Sequence, residues 1–305
     1  MGRALISSIT VGALITSAWA QLRHTIPPTE TFRADAKLVL LPVTVVDRRG
    51  SIVNGLPREA FTVLEDHMPQ QIASFAEQDV PVSIGVVFDM SGSMKSTFGG
   101  ARVALRSFFE TANPEDDAFL YTVSTQPKKL SGYTQGAESL LGPLVFAKAQ
   151  GSTALVDTIY ASLNETRRAS HAQKALLIIS DGMDNHSRYS KDELTALALE
   201  SDAQIYAISI YNPHPSQKPI ESHEEQRGLR LLAELAERTG GLHFVVRDDA
   251  DIHRATADIG QALRNQYVIG DVPQISDRSG KWRSIQIKLN RRDAKAYTRS
   301  GYRSD

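Results

Sequence analysis

Cysteine is absent from this 305-residue chain. That removes disulfide staples, thiolate metal sites and cysteine nucleophiles at once. Charge of one sign is missing too: 34 Lys and Arg stand against 35 Asp and Glu. Such a balance gives no electrostatic basis for binding nucleic acid or an anionic membrane. The eight histidines show no metal-ligand spacing, and there is no His-Glu-x-x-His. No Gly-x-Ser-x-Gly elbow, Gly-x-x-x-x-Gly-Lys loop or Gly-x-Gly-x-x-Gly turn occurs, so hydrolase and nucleotide-binding signals are lacking. After residue 20 no apolar run is long enough to span a bilayer.

What is present begins with a stretch that reads as an export signal. Arg3 supplies a basic start, residues 4–17 are mildly apolar, and Ala18-Trp19-Ala20 is a small-residue cleavage site, giving Gln21 as the expected mature N-terminus. The mature chain is therefore expected to be periplasmic or secreted, without a transmembrane segment.

The rhythm of the chain changes twice. Residues 21–36, with Pro27-Pro28, read as a flexible leader. Residues 37–80 read as short strands and turns: β-branched residues at 38–46, Asp47-Arg-Arg-Gly50, alternation at 61–65, a turn at Asp66-His-Met-Pro69 and a strand at 71–75. From residue 81 to 266, apolar runs alternate with amphipathic stretches. Strands are expected at 82–89, 117–124, 175–180, 204–210 and 242–246, with a short edge strand near Lys129–Tyr133. Helices are expected at 99–112, 136–147, 155–169, 191–202, 225–239 and 249–266. This pattern predicts an α/β fold with a doubly wound, mostly parallel sheet. Residues 267–305 return to strands. So few strands cannot bury a face alone, which predicts pairing with the N-terminal strands in a small β-sandwich around or beside the α/β domain.

Two of the apolar runs end in acids. Pro81–Phe88 leads into Asp89-Met-Ser91-Gly-Ser93, and Ala175–Ser180 leads into Asp181-Gly182. In doubly wound sheets, ligands bind outside the carboxyl ends of strands where strand order reverses, so Asp89 and Asp181 are expected at one crevice. The loop 150–155 adds hydroxyls at Ser152 and Thr153. Oxygen-only donors suit a hard cation such as Mg2+. Asp and Ser at these places are also common helix-capping residues, and Asp181-Gly182 is an ordinary turn pair. Asp184, Asn185 and His186 read as a solvated loop. The proline-rich stretch Tyr211–Glu224 reads as a surface loop able to shape partner choice.

Asp89-x-Ser91-x-Ser93, Gly151-Ser-Thr153 and Ser180-Asp181-Gly182 together resemble the metal-ion-dependent adhesion site (MIDAS) of von Willebrand factor type A (VWA) domains, whose sheet is Rossmann-like. The flanks, Val43-x-Val-x-Asp47-x-x-Gly50, Phe61-x-Val-x-Glu-Asp66 and Gly301-Tyr302, look like the bacterial exported "VWFA-related" family, except that His67 stands where a glycine turn is more usual. The resemblance implies direct coordination by Ser91, Ser93 and Thr153. It implies that Asp89 and Asp181 act through water and hydrogen bonds. It implies Mg2+, or Mn2+ or Ca2+, left electrophilic by neutral ligands and ready for an Asp or Glu of a protein partner. The expected function is thus non-enzymatic, adhesion-type binding. The alternatives are a metal-free scaffold of the cell envelope and a Mg2+-dependent hydrolase, for which Lys95 or Arg188 would have to serve the substrate.

Overall fold

The computed structural model describes residues 38–145, 147–210, 223–271 and 280–304. The expected signal segment, the leader and the proline-rich stretch 211–222 lie outside these residues. The described residues form one six-stranded sheet and two four-stranded sheets.

The six-stranded sheet is built from β5 (Val82–Asp89), β6 (Asp117–Val123), β7 (Lys128–Gln135), β8 (Gln173–Ser180), β9 (Gln204–Ile210) and β10 (His243–Val246). Its order is β10-β9-β8-β5-β6-β7, parallel except for the antiparallel edge strand β7. All eight residues of β5 and all seven of β9 are buried, because helices cover both faces of a parallel sheet. On one face lie α1 (Phe98–Glu110) and α6 (Asp249–Arg264), packed through Leu105, Phe108, Ile252 and Ile259 against Ile84, Val86 and Phe88. On the other lie α3 (Leu155–Glu165), α4 (Lys191–Glu200) and α5 (His223–Thr239), packed through Ile159, Leu194 and Leu232 against Val87, Leu176 and Ile205. A short α2 (Ala137–Leu141) follows β7. The expected α/β class, with its mostly parallel doubly wound sheet, is what the chain adopts.

The other two sheets join the ends of the chain. β1 (Val39–Asp47), β4 (Ile72–Gln78), β11 (Gln266–Asp271) and β13 (Ala294–Tyr297) form the order β13-β1-β11-β4. β2 (Phe61–Glu65), β3 (Met68–Gln70), β12 (Trp282–Leu289) and β14 (Gly301–Arg303) form β14-β12-β2-β3. Leu41, Val43 and Ile269 from the first sheet share one apolar cluster with Phe61, Val63 and Ile285 from the second, so the two sheets make a sandwich. Phe61, Phe75 and Tyr267 pack ring to ring at its centre, with centroids 4.9–5.8 Å apart.

Three local readings differ from expectation or refine it. The turn between β2 and β3 is only Asp66-His67, and Met68-Pro69-Gln70 is already a strand; Pro69 sits on an edge, where its missing N–H costs nothing. Residues 294–303, within the stretch read simply as a return to strands, hold two short strands. The helix expected to reach 266 ends at Arg264, and Gln266 already pairs as the first residue of β11.

A candidate cation site at the switch point of the sheet

β5 runs between β8 and β6, so the chain leaves β5 toward one edge and later returns to build the other. The crevice at this reversal lies between the carboxyl ends of β5 and β8. Their register pairs Phe88 with Ile179, so Asp89 and Ser180 leave the sheet side by side.

Asp89 is fully buried. The Ser91 backbone N–H donates to its Oδ1 at 2.8 Å, and the Ser180 hydroxyl donates to its Oδ2 at 2.5 Å. Ser180 Oγ in turn accepts the Gly182 N–H at 3.0 Å. Ser91 and Ser93 hydroxyls are 2.9 Å apart; Ser91 is buried and Ser93 is exposed. Asp181 is half-buried, and its Oδ1 accepts the Met183 N–H. Burial first, and then the nearby Asp181 charge, push the Asp89 carboxyl up to about 7 against the pull of the Ser180 and Ser91 hydrogen bonds.

The third loop is clipped onto the first two by its backbone. Gly92 N–H donates to Gly151 O at 2.9 Å, and Gln150 N–H donates to Met90 O at 2.8 Å. Gly151 has φ +88°, a conformation that glycine adopts without strain. Thr153 is buried and is clasped by Asn185, whose Oδ1 accepts its N–H while its O accepts the N–H groups of Asn185 and His186. Ser152, beside it, is half-buried.

The residues after Asp181 do more than fill a solvated loop. Asp184 Oδ1 accepts the N–H groups of Leu155 and Val156 at the start of α3, and also the Ser187 hydroxyl. Asp157, buried on α3, accepts the N–H groups of Arg188 and Tyr189. Arg188 is engaged there through its Nε at 3.3 Å, and Lys95 is exposed. Glu225, on the first turn of α5, was not singled out from the sequence. Burial and the Asp181 charge both raise its pKa, so this turn borders the crevice.

The donors gathered here are hydroxyl and carboxylate oxygens. Among the described residues no three His, Asp or Glu side chains cluster as a metal cage. The set therefore fits a hard cation held by few carboxylates, and the repulsion between Asp89 and Asp181 is what such a cation would relieve.

Residues 84–183 match the family model of the von Willebrand factor type A domain. The central α/β unit is a von Willebrand factor type A domain. The matched stretch starts in β5, ends just past Gly182 and contains Asp89, Ser91, Ser93, Thr153 and Asp181. Solved structures similar to the chain include an aerotolerance-related membrane protein from Bacteroides fragilis (18% identity, 60% of this chain and 98% of that one, TM-score 0.47). Another is a von Willebrand factor type A protein from Catenulispora acidiphila (12%, 90% and 65%, TM-score 0.49). A third is the vWF domain of the type V pili tip protein Mfa5 from Porphyromonas gingivalis (13%, 61% and 95%, TM-score 0.47). No curated protein matches the sequence. No helix among the described residues is long and apolar enough to cross a membrane.

Proposed function

We propose that the chain is an exported, non-catalytic binding protein whose A domain captures an acidic side chain of a protein partner through a divalent cation. The observation that carries this reading is the convergence of three loops on one crevice. Asp89 is anchored by Ser180 and the Ser91 N–H, the Ser91 and Ser93 hydroxyls adjoin, Thr153 is clasped by Asn185 and His186 of the Asp181 loop, and Gln150 and Gly151 clip its loop to the Asp89 loop.

The hydroxyls of Ser91, Ser93 and Thr153 would hold the ion, with Asp89 and Asp181 beside it. Mg2+ fits best, since it keeps several waters and needs few protein carboxylates; Mn2+ or Ca2+ would use the same oxygens. The cation would supply an electrophilic position for an incoming carboxylate. The protein's own part is preorganisation. The Ser180 hydroxyl and the Ser91 N–H fix the Asp89 carboxylate, and the Asn185 clasp fixes Thr153, so neither has to be ordered when a ligand arrives. Exposed Ser93 marks the side from which a partner would approach. Of the two cations the hydrolase reading would call on, Arg188 is paired with Asp157 and Lys95 is exposed to solvent.

The test is calorimetric titration of Mg2+ and Mn2+ into metal-stripped protein beginning at Gln21. An Asp89→Ala/Ser91→Ala variant is the control. Saturable binding that the variant loses supports the proposal. No binding at millimolar ion, alone and with carboxylate-bearing candidate partners present, would leave the metal-free scaffold.

A further inference from the structure

On the side of the A domain away from α1 and α6, a groove of about 780 Å³ runs between α4 and α5. Its cations come from both walls: Lys191 on α4, and Arg227, Arg230 and Arg238 on α5. On α5 they share one stripe with His223 and Glu234, since positions 223, 227, 230, 234 and 238 recur at helical spacing. Arg238 pairs with Glu234 at 3.2 Å. Arg227 and Arg230 meet no carboxylate among the described residues; their Nε groups donate to the main-chain oxygens of His223 and Gln226 on their own helix. With Glu234 paired to Arg238, the three cationic residues Lys191, Arg227 and Arg230 line the groove against one further acid, Asp192. This happens in a chain whose overall charge is only -1.

We propose that this groove docks an acidic polypeptide segment in an extended conformation. Exposed guanidinium groups held on a rigid helix suit carboxylates, which they can bind through paired N–H donors. The spacing suits a peptide. The stripe from His223 to Arg238 is about 22 Å long at the rise of a helix, the reach of roughly seven extended residues. Asp192 and Glu234 interleave with the cations, and Leu231 gives the wall an apolar element. A polyanion charged at every unit would set like charges against those two acids. A polypeptide can place neutral or apolar residues there and carboxylates between them.

The groove also has a defined neighbour. Gly228, on a different face of α5 from the arginine stripe, is packed against the backbone of Gly182, so the helix that carries the groove's arginines also rests on the Asp181 loop. The docking itself rests on charge and shape and does not require a cation.

The test uses the full mature chain and a fluorescent peptide of about ten residues in which Glu alternates with Ser or Leu. Anisotropy is read at low salt, once with EDTA and once with Mg2+. The groove predicts saturable binding in both conditions, weakening as salt screens the charges. Arg227→Glu/Arg230→Glu should weaken it roughly tenfold or more, and Lys191→Glu, on the other wall, should weaken it separately. All three positions are exposed, and an unchanged melting temperature would show that the variants fold. Equal affinity for wild type and Arg227→Glu/Arg230→Glu would overturn the proposal, as would absence of peptide binding at low salt. Binding seen only with Mg2+ and untouched by the reversals would sink the groove but leave the cation reading standing. Binding in EDTA that the reversals abolish would carry the groove alone. Inorganic polyphosphate that binds where the peptide does not would replace the peptide with a phosphate polyanion and overturn the assignment.

Discussion

Gly182 and Gly228 touch backbone to backbone. A methyl group on Gly228 would lie 1.7 Å from the Gly182 carbonyl oxygen, and one on Gly182 would meet the Gly228 main chain at 3.1 Å. Gly182 also has φ +81°, which a side chain would strain. This contact lets α5 lie directly on the loop that carries Asp181. Gly228→Ala should therefore push α5 and the Asp181 loop apart, costing about 3 kcal/mol. A lowered melting temperature together with weakened cation binding is the expected result. A variant with wild-type stability would show that the contact is not needed.

The raised Asp89 carboxyl gives the stability a pH dependence with a definite sign. Unfolded, the group titrates near 3.8; folded and metal-free, it titrates near 7. Between those values the folded state holds a proton that the unfolded state has released. Stability from this group is therefore highest below about pH 4, falls as pH rises through the window and levels off above about 7. Asp89→Asn removes the dependence, so the difference between wild type and variant isolates it. In EDTA, urea melts from pH 5 to 8 should show wild type losing stability relative to Asp89→Asn. If the crevice binds a divalent ion, millimolar Mg2+ should oppose that loss, because the ion favours the ionised carboxylate. Parallel pH curves for the two proteins in EDTA would contradict the shift.

The elements that carry the site were readable because their signals are local. β5 and β9 are mostly apolar runs, and β12 has β-branched residues beside a polar turn, so their bounds follow from the sequence. Asp89, Ser91, Ser93 and Asp181 stand where such runs end. What escaped depends on long-range packing. Ser180 looks like the last residue of a strand, and only the β5–β8 register turns its hydroxyl onto Asp89. Glu225 comes near Asp181 only because two glycines let α5 approach. Asp184 and Asn185 resemble loop residues until α3 and Thr153 are found beneath them. The tail breaks into two strands because residues 298–300 between them dock on the A domain: Ser300 N–H donates to Arg238 O, and the Thr298 backbone lies where a Cβ of Gly240 would be.

The hairpin turn between β2 and β3 is strained in a correctable way. Asp66 and His67 both have positive φ, 47° and 67°, as a two-residue turn matched to strand twist requires. Asp66 is also tied to Ser284 through its N–H and hydroxyl, so it should stay. His67→Gly relieves the unfavourable backbone and should raise stability by roughly 1 kcal/mol. His67→Ala keeps the strain and should give no such gain. Chemical denaturation of the three proteins separates the backbone effect from loss of the imidazole.

Glu65 and Arg283 fasten the two ends of the chain inside the sandwich. Arg283 Nη1 donates to Glu65 Oε1 at 2.8 Å, the Tyr302 hydroxyl donates to the same oxygen at 3.0 Å, and both charged residues are buried. Taking a charge out of water is costly unless its partner stays in place, so the damage should come from stranding one ion and not from losing the pair. Glu65→Leu leaves the guanidinium without this carboxylate and should destabilise the fold by about 3 kcal/mol. Glu65→Leu/Arg283→Met removes both charges and should recover part of that loss. Additive single-variant losses in a double-mutant cycle would mean that the two side chains act independently, and that the ends of the chain are joined by strand pairing and apolar packing alone.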